Sequence, residues 1–402
     1  MPEAKAYSNF ILFTSSNFPR GGAGATYLDL FCKGLTIHNF SVYVYLIRGH
    51  AFRDSNERQS RKNVTREGVH YSYLGLLNRP KHGLLKIVDG LKSFFNLFSP
   101  LTEAVRRKNK TIILVYQADF FHSVLIYSIS KAFGIKTISI VPEYFNQSDF
   151  KGKLRKIQWN GFKFILQKMN PLSSGLIVFT HFLKEYYTSL GFREDCIYVQ
   201  PNLTDFDFWE VPSQKEDYFI GYSGTPGSKD GLPFLFKAIE KLKKEFPVSL
   251  LVIGDTPYGK SMIPNLISVC TSLGIEDLVT FTGLVNYEQV KYLLSKCKIT
   301  AITRPDNIQT KAGFPTKLGE YMALKKPVLA TDFGEVSFYF SDGKEIIIAD
   351  KCDPDSIAKK IRWLIQNNGL SATIGIKGYE KALSILEYKA AMSRIIEFMI
   401  SI

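Results

Sequence analysis

Short runs of Val, Ile, Leu, Phe and Tyr alternate along the chain with longer stretches whose apolar residues recur every three or four positions. The first pattern reads as buried strands and the second as amphipathic helices, so their alternation predicts parallel sheets with crossover helices. In the first half, strands are predicted over Phe10–Thr14, Val42–Ile47, Tyr71–Leu74, Ile112–Tyr116, Thr137–Val141, Leu176–Thr180 and Ile197–Val199. Helices fall over Ala25–His38, Leu84–Phe98, His122–Phe133, Leu154–Met169 and Phe182–Leu190. The stretch Pro201–Asp217, rich in acid, proline and aromatics, has no period and reads as a linker. A second alternating series follows, with strands over Phe219–Ser223, Ser249–Ile253, Val279–Thr282, Thr300–Thr303, Val328–Ala330 and Ile346–Ile348. Its helices include Leu232–Glu245 and Asp355–Gln366.

A chain of 402 residues exceeds one ordinary core. We therefore expect an α/β protein of two doubly wound, Rossmann-like domains facing a central cleft. The expected bounds are 1–202, a linker over 203–217, 218–385, and a last helix over 386–402. Ligands of such folds bind beyond the carboxyl ends of the strands.

The stretch Gly313–Thr331 carries the most chemistry. It reads as a turn, a helix opening near Thr316, a break before Pro327 and a buried strand. The amides at such a helix start favour an anion. Lys317 adds a cation in the first turn, and Glu320 lies one turn on. Amides near Phe314, Pro315 and Thr316, a cation and a carboxylate together suit a nucleotide sugar. The diphosphate would meet the first two and the ribose hydroxyls the third.

This segment resembles the donor-binding motif of glycosyltransferase family 4, retaining enzymes of GT-B fold. Glu320-Tyr-Met-Ala-Leu-Lys-Lys-Pro-Val328 matches the second half of that family's Glu-x7-Glu phrase, and Pro315, Lys317 and Glu320 match its P-x-K-x-x-E form. The first Glu of the phrase falls on Ala312. Gly221-Tyr-Ser-Gly224-Thr-Pro-Gly-Ser-Lys229-Asp-Gly231 is similar to the phrase G-R-x-x-x-x-K-G, with Gly224 and Lys229 in place and Thr225 at the Arg position. Arg304, ending a later strand, is a candidate for that missing cation. Gly21 and Gly22 open the first helix, where similar enzymes bring backbone close to the donor, an approach glycine permits. The resemblance implies retaining transfer from a nucleoside-diphosphate sugar, a UDP-sugar being the commonest donor, with no separate cofactor and no metal. It also implies that the 386–402 helix crosses back to the first domain. Lys229 and Lys317 would support the departing diphosphate and Glu320 would hold the ribose, while the Gly21–Gly22 loop closes from the other domain. His122 and Glu143, near the ends of first-domain strands, are candidates for contact with the sugar and for binding or deprotonating the acceptor.

Other motifs compete. Gly254-Asp-Thr-Pro-Tyr-Gly-Lys260-Ser261 fits G-x-x-x-x-G-K-S after a strand, and Asp350 ends another strand, so a P-loop ATPase stays open. A nucleotide-sugar epimerase of the same fold is a second alternative. Asp205 and Asp207 form a D-x-D in the linker, read as structural. The five cysteines are scattered without metal spacing, which fits a reducing cytosol.

Charge changes the picture of the first half. Residues 1–200 hold 27 Lys+Arg against 13 Asp+Glu, whereas residues 201–402 hold 24 of each. An anionic partner for one domain follows. Leu84, Val88, Leu91, Phe95 and Phe98 form an apolar helical stripe, and cations with Trp159, Phe162 and Phe164 mark residues 151–164. Basic helices with aromatic residues bind membrane interfaces. The expected partners are thus a nucleotide-sugar donor, a glycan or lipid-linked acceptor and an anionic membrane surface. The chain would lie at the cytoplasmic, inner face of the cell membrane and assemble surface polysaccharide. A basic nucleic-acid-binding module is the remaining alternative, disfavoured because the aromatics follow helix and strand periods.

Overall fold

A computed structural model describes residues 7–49, 62–65, 67–80, 83–145, 147, 152–212, 214–256 and 260–402. The chain divides into two compact units, one of residues 1–203 with 388–402 and one of 204–387. Each is built on its own mostly parallel sheet, as the alternating pattern predicts.

The first unit holds β1 (Asn9–Thr14), β2 (Ser41–Leu46), β3 (Lys62–Val64), β4 (His70–Tyr73), β5 (Thr111–Tyr116), β6 (Thr137–Val141), β7 (Gly175–Val178) and β8 (Ile197–Val199). Their order is β3-β4-β2-β1-β5-β6-β7-β8. Only β3, which the sequence pattern did not single out, runs antiparallel to its neighbour. β5 and β6 are buried along their whole length, as strands covered on both faces must be. The predicted Leu84–Phe98 helix is two helices, Gly83–Asn96 and Phe98–Arg106, broken at Leu97. The last helix, Tyr388–Ser401, packs on the Ala23–Ile37 helix of this unit, where a Cβ on Gly34 would lie 2.1 Å from Met392 Cγ.

The second unit holds β9 (Tyr218–Ser223), β10 (Leu250–Ile253), β11 (Val279–Phe281), β12 (Cys297–Ile302), β13 (Val328–Thr331) and β14 (Ile347–Ala349). Their order is β11-β10-β9-β12-β13-β14 with every pairing parallel. The chain winds outward from β9 in one direction and then returns to wind in the other from β12. The loops leaving β9 and β12 therefore diverge, and that is where such sheets take ligands. Leu232, Leu235, Phe236, Ile239 and Leu242 line one face of the Leu232–Leu242 helix and are all buried against this sheet. Pro233 in its first turn and left-handed Gly231 just before it start the helix there. Residues 204–217, read as a linker, lie in this unit: Asp205 caps the short Phe206–Trp209 helix by accepting from Phe208 N at 3.0 Å.

Candidate active site

The site grows from the two diverging strands. β9 ends in Ser223 and continues into the glycine-rich loop Gly224–Gly231, while β12 leads to Thr303 and Arg304. At the centre is Asp230, 1% exposed. Its Oδ1 accepts from Arg304 Nε at 2.9 Å, and its Oδ2 meets Lys317 Nζ at 3.2 Å and accepts from the Tyr222 hydroxyl at 2.6 Å. The loop is held close by Gly231: a Cβ there would stand 1.9 Å from the Thr303 carbonyl oxygen, and its φ of +64° is left-handed. Thr303 Oγ1 lies 3.2 Å from the carbonyl oxygens of Asp230 and Gly231.

A buried carboxylate holding two cations is unusual, because burying a charge is costly unless it is paired. Burial alone would raise the Asp230 pKa, but Lys317 and Arg304, with the Tyr222 hydrogen bond, hold the carboxyl well below its ordinary range. Lys317 moves down too, to about 8: its own burial outweighs Asp230, and Arg304 and Lys229 push the same way as burial. The ammonium also sits 4.2 Å from the Tyr222 ring centroid. One carboxylate thus serves two cations and leaves them with a net positive charge in a largely buried surrounding. Such a place strengthens attraction to an incoming anion.

Lys317 is placed by the Thr316–Ala323 helix, which is almost wholly buried. Pro315 precedes it with extended backbone and no side chain caps its start. Phe314 is buried and set edge-on to Tyr339 at 5.6 Å. Gly319 is required where the helix meets Thr204, whose Oγ1 would lie 2.1 Å from an added Cβ. Tyr321 ties this helix to the end of β9, its hydroxyl accepting from Ser223 N at 2.6 Å.

Glu320 does not pair with Lys317. Its Oε1 accepts from the Tyr287 hydroxyl at 2.8 Å, and Tyr287 is itself stacked on Phe208 and edge-on to Trp209. Burial pushes the Glu320 carboxyl up to about 7, against the opposing effects of Tyr287 and Lys317. Lys229 is exposed on the Ser228–Asp230 turn, directly before the central aspartate. Gly224 brings backbone to the ammonium: its φ is +128° and an added Cβ would be 2.9 Å from Lys317 Nζ. Within the second unit, Lys317, Arg304, Gly224 and Lys229 are thus gathered around Asp230, with Glu320 on the adjoining helix and residues 314–316 at that helix's start. Sequence reasoning missed Asp230, Tyr222 and Tyr287. Asp230 was legible only as the acid between Lys229 and Gly231.

The remaining candidates belong to the first unit. Gly22 precedes the Ala23–Ile37 helix with nothing within 4 Å of an added Cβ, and Gly21 approaches Asn17. Past the ends of β5 and β6, Glu143 Oε1 accepts from Gln117 Nε2 at 3.0 Å, and Gln117 Oε1 accepts from Ser16 Oγ at 3.0 Å. Gln117 has a φ of +49°, a left-handed conformation that non-glycine residues seldom hold. His122 stands apart from this group. It is buried, it shares a 2.9 Å hydrogen bond with Ser93 Oγ, and burial lowers its pKa.

The phosphate-loop match falls partly on residues 257–259, outside the described residues. What is described does not favour that reading. The following helix opens only at Ile263, and Asp255 Oδ1 itself accepts from Thr256 N and Met262 N at 2.7 and 3.0 Å. Among the described residues no group of acidic, His or Cys side chains is arranged to hold a metal ion.

Comparison with known proteins bears on the fold and on the second unit. Residues 204–381, nearly the whole second unit, match the family described as glycosyl transferases group 1. An uncharacterized glycosyltransferase of Methanocaldococcus jannaschii is 28% identical over 172 residues, 42% of this chain and 45% of that protein. A GDP-mannose-dependent alpha-(1-6)-phosphatidylinositol monomannoside mannosyltransferase of Mycolicibacterium smegmatis is 23% identical, over 42% of this chain and 44% of the other. The match thus spans less than half the length of either curated relative. The structure of Anabaena HepE in complex with UDP superposes with a TM-score of 0.74 at 16% identity, covering 98% of this chain and 100% of the other. Sucrose-phosphate synthase of Thermosynechococcus elongatus gives a TM-score of 0.71 at 15% identity, covering 97% and 98%. The chain has the GT-B fold of these proteins, and its second unit carries the glycosyl transferases group 1 match.

Proposed function

We propose that the second unit binds a nucleoside-diphosphate sugar and that the chain is a retaining glycosyltransferase of family 4. The observation that carries this reading is the Asp230-centred pair of cations, Lys317 and Arg304, set where the strand order reverses. A departing diphosphate carries the charge such a pair is built to meet, and electrostatic support of a leaving group is commonly the largest part of catalysis. Lys229, Gly224 and the amides around Phe314–Thr316 complete the phosphate side without a metal. Glu320, its first oxygen held by Tyr287, offers the second to ribose hydroxyls. UDP is the favoured nucleotide, in keeping with the UDP and UDP-glucose bound to HepE.

In the first unit, Gly22 presents open backbone, with nothing within 4 Å of an added Cβ. The acceptor is a glycan or lipid-linked glycan, and Glu143 with Gln117 receives its hydroxyl. No protein nucleophile takes part: the acceptor attacks on the face the diphosphate leaves, so configuration is kept. We place this chemistry in polysaccharide assembly at the inner face of the cell membrane. Among the described residues no helix is long and apolar enough to cross a membrane.

Thermal unfolding with UDP-, GDP- and ADP-sugars tests the reading. A true donor at about 100 times its dissociation constant stabilises by roughly 2.7 kcal/mol. Lys317→Ala should abolish that gain and cut kcat about 10²- to 10³-fold, as loss of one hydrogen-bond donor to developing charge does elsewhere. An unchanged shift in the variant would remove the diphosphate from this site.

A further inference from the structure

The Gly83–Asn96 helix is inside out. The residues it buries are polar, Asp89 and Ser93. Asp89 Oδ1 accepts from Leu76 N at 2.6 Å, and an added Cβ on Gly75 would lie 2.2 Å from that oxygen. Ser93 is fastened to His122. On the opposite side, Leu84, Ile87, Val88, Leu91 and Phe95 recur at helical spacing, and each is between 47% and 76% exposed. A helix held down by its polar residues shows a leucine and phenylalanine stripe that none of the described residues covers.

The face extends beyond one helix. Phe94 lies edge-on to Phe98 and to His122 in the first turn of the Phe120–Phe133 helix. Phe120 packs at 5.3 Å on Phe164 of the Lys153–Phe164 helix, next to Phe121, which is 71% exposed. Lys86, Lys92, Arg155, Lys156 and Lys163 are exposed on these same elements. The Gly83–Asn96, Phe120–Phe133 and Lys153–Phe164 helices contain no acidic residue except the buried Asp89, and Glu103 of the Phe98–Arg106 helix is paired with Arg107.

We infer that this face docks in the plane of an anionic lipid surface, with the apolar stripe in the headgroup–acyl boundary and the lysines and arginine among the phosphates. Apolar burial and attraction to anionic lipid act together in helices of this kind. A helix of 14 residues is too short to span. A second copy of the chain fits less well, because a two-fold contact would set the same cations against each other. The inference belongs to the first unit and does not depend on the nucleotide bound by the second.

Sedimentation of the full chain with phosphatidylcholine vesicles, with and without about a third phosphatidylglycerol, is the test. The chain should partition onto the anionic vesicles and come off with added salt. The double variant Leu91→Asp, Phe95→Asp should lower the partition coefficient at least about tenfold. Lys156→Glu with Lys163→Glu, on a different helix, should lower it by about fivefold for each cation lost. Both variants should keep the thermal shift with UDP-sugar, which separates this result from the donor reading. A wild-type chain that ignores anionic vesicles at low salt overturns the inference. So does a dimer in sedimentation velocity that the Leu91/Phe95 variant breaks, or capture by an acidic protein without any vesicle binding.

Discussion

The Thr316–Ala323 helix of the second unit and the Gly83–Asn96 helix of the first depart from ordinary burial in opposite directions. The former encloses a lysine and a glutamate; the latter encloses an aspartate and a serine and leaves its leucines outside. Charged groups are rarely inside and large apolar stripes rarely outside, so each departure has a physical cost that something must offset. In the second unit the offset is internal: Asp230 answers Lys317 and Arg304, and Tyr287 answers Glu320. In the first unit nothing within the described residues covers the stripe. The contrast separates a site completed by its own residues from one that waits for a partner.

The sharpest way to break this contrast is to remove the internal answer. Asp230→Ala should cost about 3–5 kcal/mol in urea unfolding, because it strands buried cations. A loss below about 1 kcal/mol would mean that the cluster is solvated and the pairing incidental.

Glu320→Gln comes next. The folded pKa of Glu320 is raised, so its contribution to stability is full below about 4.5 and is lost as pH rises through about 7. The glutamine variant keeps a neutral group and should escape that decline. It should gain on the wild type by up to roughly 3 kcal/mol between those limits. A stability difference that stays flat with pH would show that Glu320 is not buried as described.

Affinity for UDP offers a third measurement. A bound diphosphate favours the charged form of Lys317, whose pKa is near 8. Calorimetry should therefore show affinity falling as pH rises past 8, by at most about tenfold per unit, with Lys317→Arg flattening the slope. A wild-type slope identical to that of the arginine variant would assign the titration elsewhere.

The smallest effect belongs to the other helix. Leu91→Ser with Phe95→Ser should change stability by less than about 0.5 kcal/mol each, as exposed positions do. Leu235→Ala in the second core should cost about 2–5 kcal/mol. Comparable losses from both would place the first stripe inside a core after all.

Both sheets were legible because continuous apolar runs and 3.6-residue periods are local properties of the chain. Lys317, Arg304 and Glu320 were legible as charges beside a helix start and a strand end. What they touch was not: Asp230 is 87 residues from Lys317 and 74 from Arg304, and Tyr287 is 33 from Glu320. Period alone does not report such distances. The Leu84–Phe95 stripe teaches the same lesson in another form. Spacing showed that these residues share a face, but which way the face points was decided by Asp89 and Ser93, through bonds to Leu76 and His122.

The Tyr321 hydroxyl on Ser223 N makes strand and helix move as one piece. The phosphate-side loop hangs from the strand and Lys317 rides on the helix, so a thermal shift of either carries the other along. Their spacing is thereby buffered against the breathing of the surrounding unit, and an anion arriving there meets a gauge already set.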